Sequence, residues 1–429
     1  MTLQALRGTA DLLAEDLPRW KAVEQTARHT TARHGYREIR TPILEEAALF
    51  LRSIGETSDI VQKEMFAFQD RGNRTIVLRP EGTSAIVRAY LEHNLHKTQG
   101  LARLFYLGPM FRAERPQAGR LRQFHQFGVE AIGSYSPWID AETIILCLDI
   151  LKDCGLRDAV LWLSSIGCRK DQAASAEQLR QRLAPHRKKL CEDCQGRFDK
   201  NVFRVLDCKR PACHALAWDI AGSPFILCGD CQNHFGRVRD ALRQSNIAFD
   251  DTHIFARGLD YYTRTVFEVR AKGLGAQDAV AAGGRYDHLV EELGGPPSGA
   301  VGFAAGIERL LMAVQAAAEP LEAANTHRHG LYIAAAQPDV IGNVFQLVRR
   351  CRQEGLTTLM DCEGRSLKAQ LREADKLRCR WVAILGEQEL RQHTVAVKDL
   401  EQGQQQDVSL EGFVDTMRQH AKGQQAHCR

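Results

Sequence analysis

The sequence predicts three parts: a mixed α and β core, a helical insertion within it, and a small C-terminal α/β domain. Three observations carry this. LFYLGPMFR and RQFHQFGVEAIG read as two strands joined by the polar loop AERPQAGRL. From about residue 165 to 250 the chain becomes helical, charged and rich in cysteine. After residue 330, short apolar runs alternate with helical stretches, which is βαβ patterning.

The elements follow in order. Residues 19–34 form a weakly amphipathic helix on Trp20, Val23, Ala27 and His34, ended by Gly35. GYREIRTPILEE continues as extended chain, and Thr83 and Ser84 can cap a helix through AIVRAYLEHNL. Strand-like sequence resumes after the insertion at HIFARGLDYY and runs to VAAGGRYDHLV; GGRYD reads as a glycine turn followed by Arg285. Beyond Gly302, GFAAGIERLLMAV turns into a helix, and an Ala-rich linker follows near 316–329. LYIAAA, TTLMD, WVAILG and TVAVKD are the strands of the last domain, whose sheet is expected to be largely parallel, with Gln-rich EQGQQQDV as a turn or loop. The expected boundaries are 1–164 and 251–322 for the core, 165–250 for the insertion and 330–429 for the last domain.

Bulk properties exclude little. The chain has 429 residues, enough for two to three domains at roughly 150 each. A net charge of +4 neither announces nor rules out a nucleic-acid partner, because binding needs only a local patch. The first residues lack the apolar segment of a signal peptide, and no apolar run is long enough to span a bilayer. With 13 cysteines and no such signal, reduced thiols in the cytoplasm are expected.

Chemistry gathers on the two central strands. Side chains alternate, so Gln126, Gly128 and Glu130 share one face, and Tyr106, Gly108, Met110 and Arg112 share another on the neighbouring strand. Glycines between polar residues leave a floor on which a ligand can lie. RGLDYYTRTVFEV poses a sharper question, since an Arg and two adjacent Tyr are an odd opening for a core strand.

These segments resemble a known family. FRAERPQAGRLRQFHQFGVEAIG, VGFAAGIERLLMAV and GYREIRTPILEE resemble the signature motifs of class II aminoacyl-tRNA synthetases. RGLDYYTRTVFEV, AAGGRYDHLV, RPEGTSAIVRAY and RGTADLL resemble segments of histidyl-tRNA synthetase, and the likeness covers essentially the whole chain. The resemblance implies an α+β catalytic core with an antiparallel sheet and a C-terminal α/β anticodon-binding domain. It implies that L-histidine and ATP, with Mg²⁺, give histidyl-adenylate, from which histidine passes to tRNA(His). Arg112 and Arg257 then flank the α-phosphate as catalytic cations, and Arg309 holds the distal phosphates, with Gly306 giving clearance and Glu114 near ATP. Glu130 and Tyr262 read the imidazole. Glu81 and Gln126 hold the α-amino group, and Gly82, Thr83 and Tyr261 complete the histidine pocket. Asp260 acquires no role beyond a position from which to orient Arg257. GGRYD borders the site. A homodimer follows from the class, whose first motif forms the subunit interface.

Two further patterns stand apart. Cys191/Cys194 and Cys228/Cys231 are CxxC pairs separated by 33 residues, with Cys208 and Cys213 between. Such hooks can hold a structural zinc, with those four as ligands, or can be buried thiols. On SLKAQLREADKLR, Leu367, Leu371, Ala374 and Leu377 form one stripe and Arg365, Lys368, Arg372 and Lys376 the opposite one. By resemblance that basic stripe meets the anticodon arm, and the loop at 113–121, with Arg115, Gln117 and Arg120, meets the acceptor stem. The competing readings are a non-catalytic paralogue acting as regulatory subunit of ATP phosphoribosyltransferase and a tRNA-sensing pseudo-synthetase. The regulatory paralogue typically lacks the last domain and the RGLDYY segment, both present here.

Overall fold

The computed structural model describes residues 3–55, 58–117, 119–208, 210–222, 224–252, 261–272, 274, 278–317 and 328–425. The chain divides into two compact units, Met1–Glu319 and Pro320–Arg429.

The first unit is organised by its strands: β1 (Arg37–Glu38), β2 (Leu44–Glu46), β3 (Phe66–Gln69), β4 (Thr75–Leu78), β5 (Ala102–Phe111), β6 (Gln123–Ile132), β7 (Ala159–Ser165), β8 (Thr263–Ala271), β9 (Ala279–Arg285) and β10 (Ala300–Gly306). Seven of them form one sheet in the order β1-β5-β6-β10-β9-β8-β7. Its pairs are antiparallel except β1 with β5. β2, β4 and β3 form a small second sheet.

Strand alternation gives the large sheet two different faces. Phe127, Val129, Phe267, Val301 and Phe303 pack on one side with Trp20, Val23 and Ala27 of helix Leu17–Arg33 and with Ile144 and Ile150 of helix Pro137–Asp153. The intervening residues of β6 and β10 are Gln126, Gly128, Glu130, Gly302, Ala304 and Gly306, and they face the other way. The helix Thr83–Glu92 packs on that side through Ile86, Val87 and Tyr90. Its cap differs from expectation. The N-cap is Gly82, and the carboxylate of Glu81, not a hydroxyl of Thr83 or Ser84, accepts from the backbone N–H of Thr83 (2.6 Å) and Ser84 (2.9 Å). A charged acceptor makes the stronger bond to these unpaired donors.

Between β7 and β8 the described residues are mostly helical, with helices Arg169–Leu183, Glu192–Lys200, Pro211–Ala221 and Gly229–Gln244. Leu179, Leu183, Leu190, Val205 and Leu206 form a small separate core there. GGRYD is not a glycine turn: Gly283 and Gly284 lie inside β9, paired with Phe303 and Gly302. Residues 253–260, including Arg257 and Asp260, and most of the linker lie outside the described residues.

The second unit contains β11 (Leu331–Ala335), β12 (Thr358–Met360), β13 (Trp381–Leu385), β14 (Thr394–Asp399) and β15 (Gln405–Ser409), in the order β12-β11-β13-β14-β15. β11 pairs parallel with β12 and β13, but β14 and β15 join antiparallel, so the sheet is mixed rather than largely parallel. Gln-rich 401–408 opens as a turn but is not a turn or loop throughout, because Gln405 opens an edge strand that pairs with Lys398. Helices Ile341–Gln353 and Phe413–Gln425 cover one face and Leu367–Lys376 the other. Leu377 does not join the apolar stripe of helix Leu367–Lys376; it lies just past its end and is 44% exposed. Gln370 is buried instead, exchanging hydrogen bonds with the backbone of Ala335. Among the described residues no helix is long and apolar enough to cross a membrane.

Candidate active site

A cavity of about 440 Å³ opens on the glycine-bearing face of the large sheet. Its floor is Gly302, Ala304 and Ala282, and Glu81, Gly82 and Thr83 enter from the start of helix Thr83–Glu92. Tyr106, Gln126, Glu130, Tyr261, Tyr262 and Tyr286 line it as well. A second recess of about 180 Å³ shares Arg112, Glu114 and Gln126 with it and adds Gly306 and Arg309. The structure therefore gathers Glu81, Gly82, Thr83, Arg112, Glu114, Gln126, Glu130, Tyr261, Tyr262 and Arg309 around two contiguous spaces. Arg257 lies outside the described residues.

The inner end is polar and sealed. Glu130 is 1% exposed; its carboxylate accepts from Thr83 Oγ1 at 2.7 Å and from the Tyr286 hydroxyl. Burial pushes this carboxyl up to about 8, with nearby Glu81 adding to the rise and the two hydroxyl donors opposing it. Tyr106, Tyr261 and Tyr286, all buried, are held well above the usual phenol range, so they stay protonated donors. Tyr261 packs against Tyr262 and Tyr286 with ring centres 4.8 and 5.7 Å apart. Gln126 Oε1 is buried with no hydrogen-bond partner among the described residues.

Gly302 is what lets Glu130 lie flat on the floor. A Cβ there would sit 1.9 Å from Glu130 Oε2 and 2.4 Å from the carbonyl oxygen of Val129. Gly302→Ala is expected to cost about 1–3 kcal/mol of stability, as overpacking does. It should also displace the carboxylate, which would be read as a lower melting temperature together with a higher KM for the amino acid.

The outer end carries cations. Arg112 is aimed by its Nε, which donates to the Pro80 carbonyl at 3.0 Å, and by stacking over Phe124. Glu114 is paired with Arg120 at 2.9 Å. Glu308, beside Arg309, accepts from the backbone N–H of His125 (2.9 Å), which ties helix Ile307–Ala317 to β6.

Sequence reasoning missed several residues here. Tyr286 supplies the second bond to Glu130, and its neighbour Arg285 is not in the cavity. Arg285 is fully buried, bound to Asp140 and to Asp287 at 2.8 Å, and Asp140 also binds His234 and Thr265 at 2.7 Å. Arg197 and Arg204 of the insertion line the cavity too. Nothing in their spacing pointed there.

The quartet Cys191, Cys194, Cys228 and Cys231 is not brought together. Cys191 and Cys194 gather with Cys208 and Cys213, while Cys228 and Cys231 gather with Cys168 and Asp171. The reason is that each CxxC opens a different helix, with Cys191 and Cys228 as N-caps.

A sheet antiparallel but for its β1 edge, with a glycine-bearing floor, arginines on its walls and a polar inner end, fits the catalytic unit of a class II aminoacyl-tRNA synthetase. The sequence model for histidyl-tRNA synthetase matches residues 8–192 and 231–310, and that for an anticodon binding domain matches 331–420. A histidine–tRNA ligase of Moorella thermoacetica is 46% identical over 414 residues, covering 96% of this chain and 97% of its own. One from Desulforamulus reducens is 43% identical over 408 residues, covering 95% and 97%. The crystal structure of apo S. aureus histidyl-tRNA synthetase aligns with a TM-score of 0.79 at 33% identity, over 97% of this chain and 99% of that one. The chain belongs to the histidyl-tRNA synthetase family.

Proposed function

We propose that this protein is a histidine–tRNA ligase, and that its two contiguous spaces divide the work of activation. The observation that carries the reading is a buried carboxylate and phenols at one end of a cavity whose other end holds Arg112 and Arg309. Histidine enters with its ring toward Glu130 and Tyr262, its ammonium toward Glu81 and Gln126, and its carboxylate toward Arg112. The carboxylate oxygen attacks the α-phosphorus of ATP, pyrophosphate leaves, and histidyl-adenylate forms. A terminal hydroxyl of tRNA(His) then attacks the acyl carbon and AMP leaves. Arg112, with Arg257 as its counterpart, offsets charge that builds at the α-phosphate, and Arg309 holds the leaving phosphates. Glu114 and Glu268, wall carboxylates paired with Arg120 and Arg270, are the residues that would hold Mg²⁺, which would supply neutralisation of the phosphate charge.

The second unit is the anticodon-side domain in this reading. Lys368, Arg372 and Lys376 are exposed on one helix, whereas Arg365 is drawn into pairs with Asp361 and Glu373. Neutralising the three exposed residues should weaken tRNA binding and lower the slope of log affinity against log salt by up to about 3. Adenylate formation should not change. An unaltered salt slope would move tRNA to another surface.

We also place the enzyme in the cytoplasm as a homodimer. Ile43, Leu44, Leu51 and Phe68 are exposed apolar residues on and beside the first-motif segment, as a subunit interface requires. The test of the whole reading is pyrophosphate exchange into ATP with each of several amino acids, followed by charging of tRNA. Exchange that depends on histidine alone supports it; absence of exchange from a folded protein would favour the regulatory paralogue.

A further inference from the structure

We propose that the helical insertion is a two-zinc module, with one ion held by Cys191, Cys194, Cys208 and Cys213 and the other by Cys168, Asp171, Cys228 and Cys231. The proposal rests on geometry within the insertion and does not depend on the assignment of the reaction. Of the eight ligands, Cys194, Cys208, Cys213 and Cys228 lie in residues 193–230, which the family match passes over.

In each group the ligand atoms all lie within 4.8 Å of one another. A tetrahedral zinc with bonds of about 2.3 Å sets its sulfurs about 3.8 Å apart. Cys191 Sγ and Cys208 Sγ are 3.6 Å apart, right for two thiolates on one ion and far too long for a disulfide. Backbone N–H groups already point at these sulfurs: that of Cys191 donates to Cys213 Sγ and that of Arg210 to Cys208 Sγ, each at 3.4 Å. Donors so placed stabilise the negative charge that zinc-bound thiolates keep. Cys194, Cys208 and Cys213 are buried.

The second group has a different logic. Cys168 and Asp171 occupy the N-cap and third position of helix Arg169–Leu183, and Cys228 and Cys231 the same positions of helix Gly229–Gln244. Two helix starts thus present one i, i+3 pair each to a common centre, at ends that favour anionic ligands. Gly167 adopts φ +73°, and a Cβ there would lie 2.5 Å from the Cβ of Asp171, so the turn is shaped around that ligand. This site staples the entry of the insertion to its exit.

The module needs such staples. Its separate core is small, and three of its buried members are the cysteines Cys194, Cys208 and Cys213 themselves. The first site also bears on the reaction chamber. Arg197 sits one helical turn from Cys194, bonds Asp59 at 3.3 Å and lines the cavity with Arg204. The first ion therefore holds two cavity-lining arginines in place.

The experiment is zinc and iron analysis by mass spectrometry on full-length protein purified without chelator. The expected result is about two zinc per chain. Cys208→Ser/Cys213→Ser should leave one, and Cys228→Ser/Cys231→Ser should leave one. Because such variants can misfold, the native chain is also stripped with a mercurial, reduced and titrated with Co²⁺. Thiolate-to-cobalt charge-transfer bands saturating near two equivalents are expected. In hydrogen exchange, metal removal should deprotect residues 191–213 for the first site and the starts of the two stapled helices for the second. A chain that carries no zinc and gives no charge-transfer band, or whose cysteines are found as disulfides, overturns the proposal. Iron in place of zinc overturns the metal, and a site whose double variant keeps the full zinc count is overturned individually.

Discussion

Replacing Arg112 with alanine is expected to slow histidine-dependent pyrophosphate exchange by about 10²–10³-fold, the usual cost of losing one preorganised donor at developing charge. The fold should survive. Arg112 is half-buried at the cavity wall, and among the described residues its side chain hydrogen-bonds only the Pro80 carbonyl. Arg112→Lys should recover little, because an ammonium cannot reproduce both the aiming bond to Pro80 and a forked grip on oxygen. Binding of histidine alone should change far less than the exchange rate. Exchange near the native rate in the alanine variant, with an unchanged melting temperature, would remove Arg112 from the phosphate site.

Glu130→Gln should raise the KM for histidine on the order of 10- to 100-fold, the worth of a hydrogen bond to a buried charge, while the KM for ATP stays put. The pH dependence sharpens the test. In the empty site the carboxyl is pushed up to about 8, so near neutrality much of it is protonated. An imidazole N–H favours the ionised form, and binding therefore releases a proton. Histidine affinity should improve as pH rises toward 8 in the native enzyme, and this trend should vanish in the glutamine variant. Stability runs the other way. A carboxyl raised in the folded state favours folding while protonated; that contribution is complete below about 4.5 and is lost as pH rises through about 8. The glutamine variant should lose that slope in urea unfolding at several pH values. A KM for histidine that does not move would place Glu130 outside recognition.

Much of the site was legible because strand alternation is rigid. Once Gln126, Gly128 and Glu130 were read with period two, their shared face followed, and the glycines marked it as open floor. Motif order then linked Glu81, Arg112, Tyr262 and Arg309 to the same site, although they are far apart in the chain. Local patterns also fail in a consistent way. The Gln-rich stretch has poor strand propensity, yet Gln405–Ser409 pairs as an edge strand because β14 offers a free ladder. Leu377 fits the helical stripe by spacing, but the helix ends at Lys376.

What the sequence determined by itself was the division into a mixed core, a helical insertion and an α/β unit, the family, and the roll of polar residues facing one cavity. All of these depend on periodicity and motif order, which are written along the chain. Only the tertiary structure decided who bonds whom. It put Tyr286 on Glu130 and Asp140 on Arg285, and it sorted the cysteines into two groups instead of one. Those choices depend on contacts between residues up to 156 positions apart, set by how helices and sheet pack. Spacing along the chain carries no record of them.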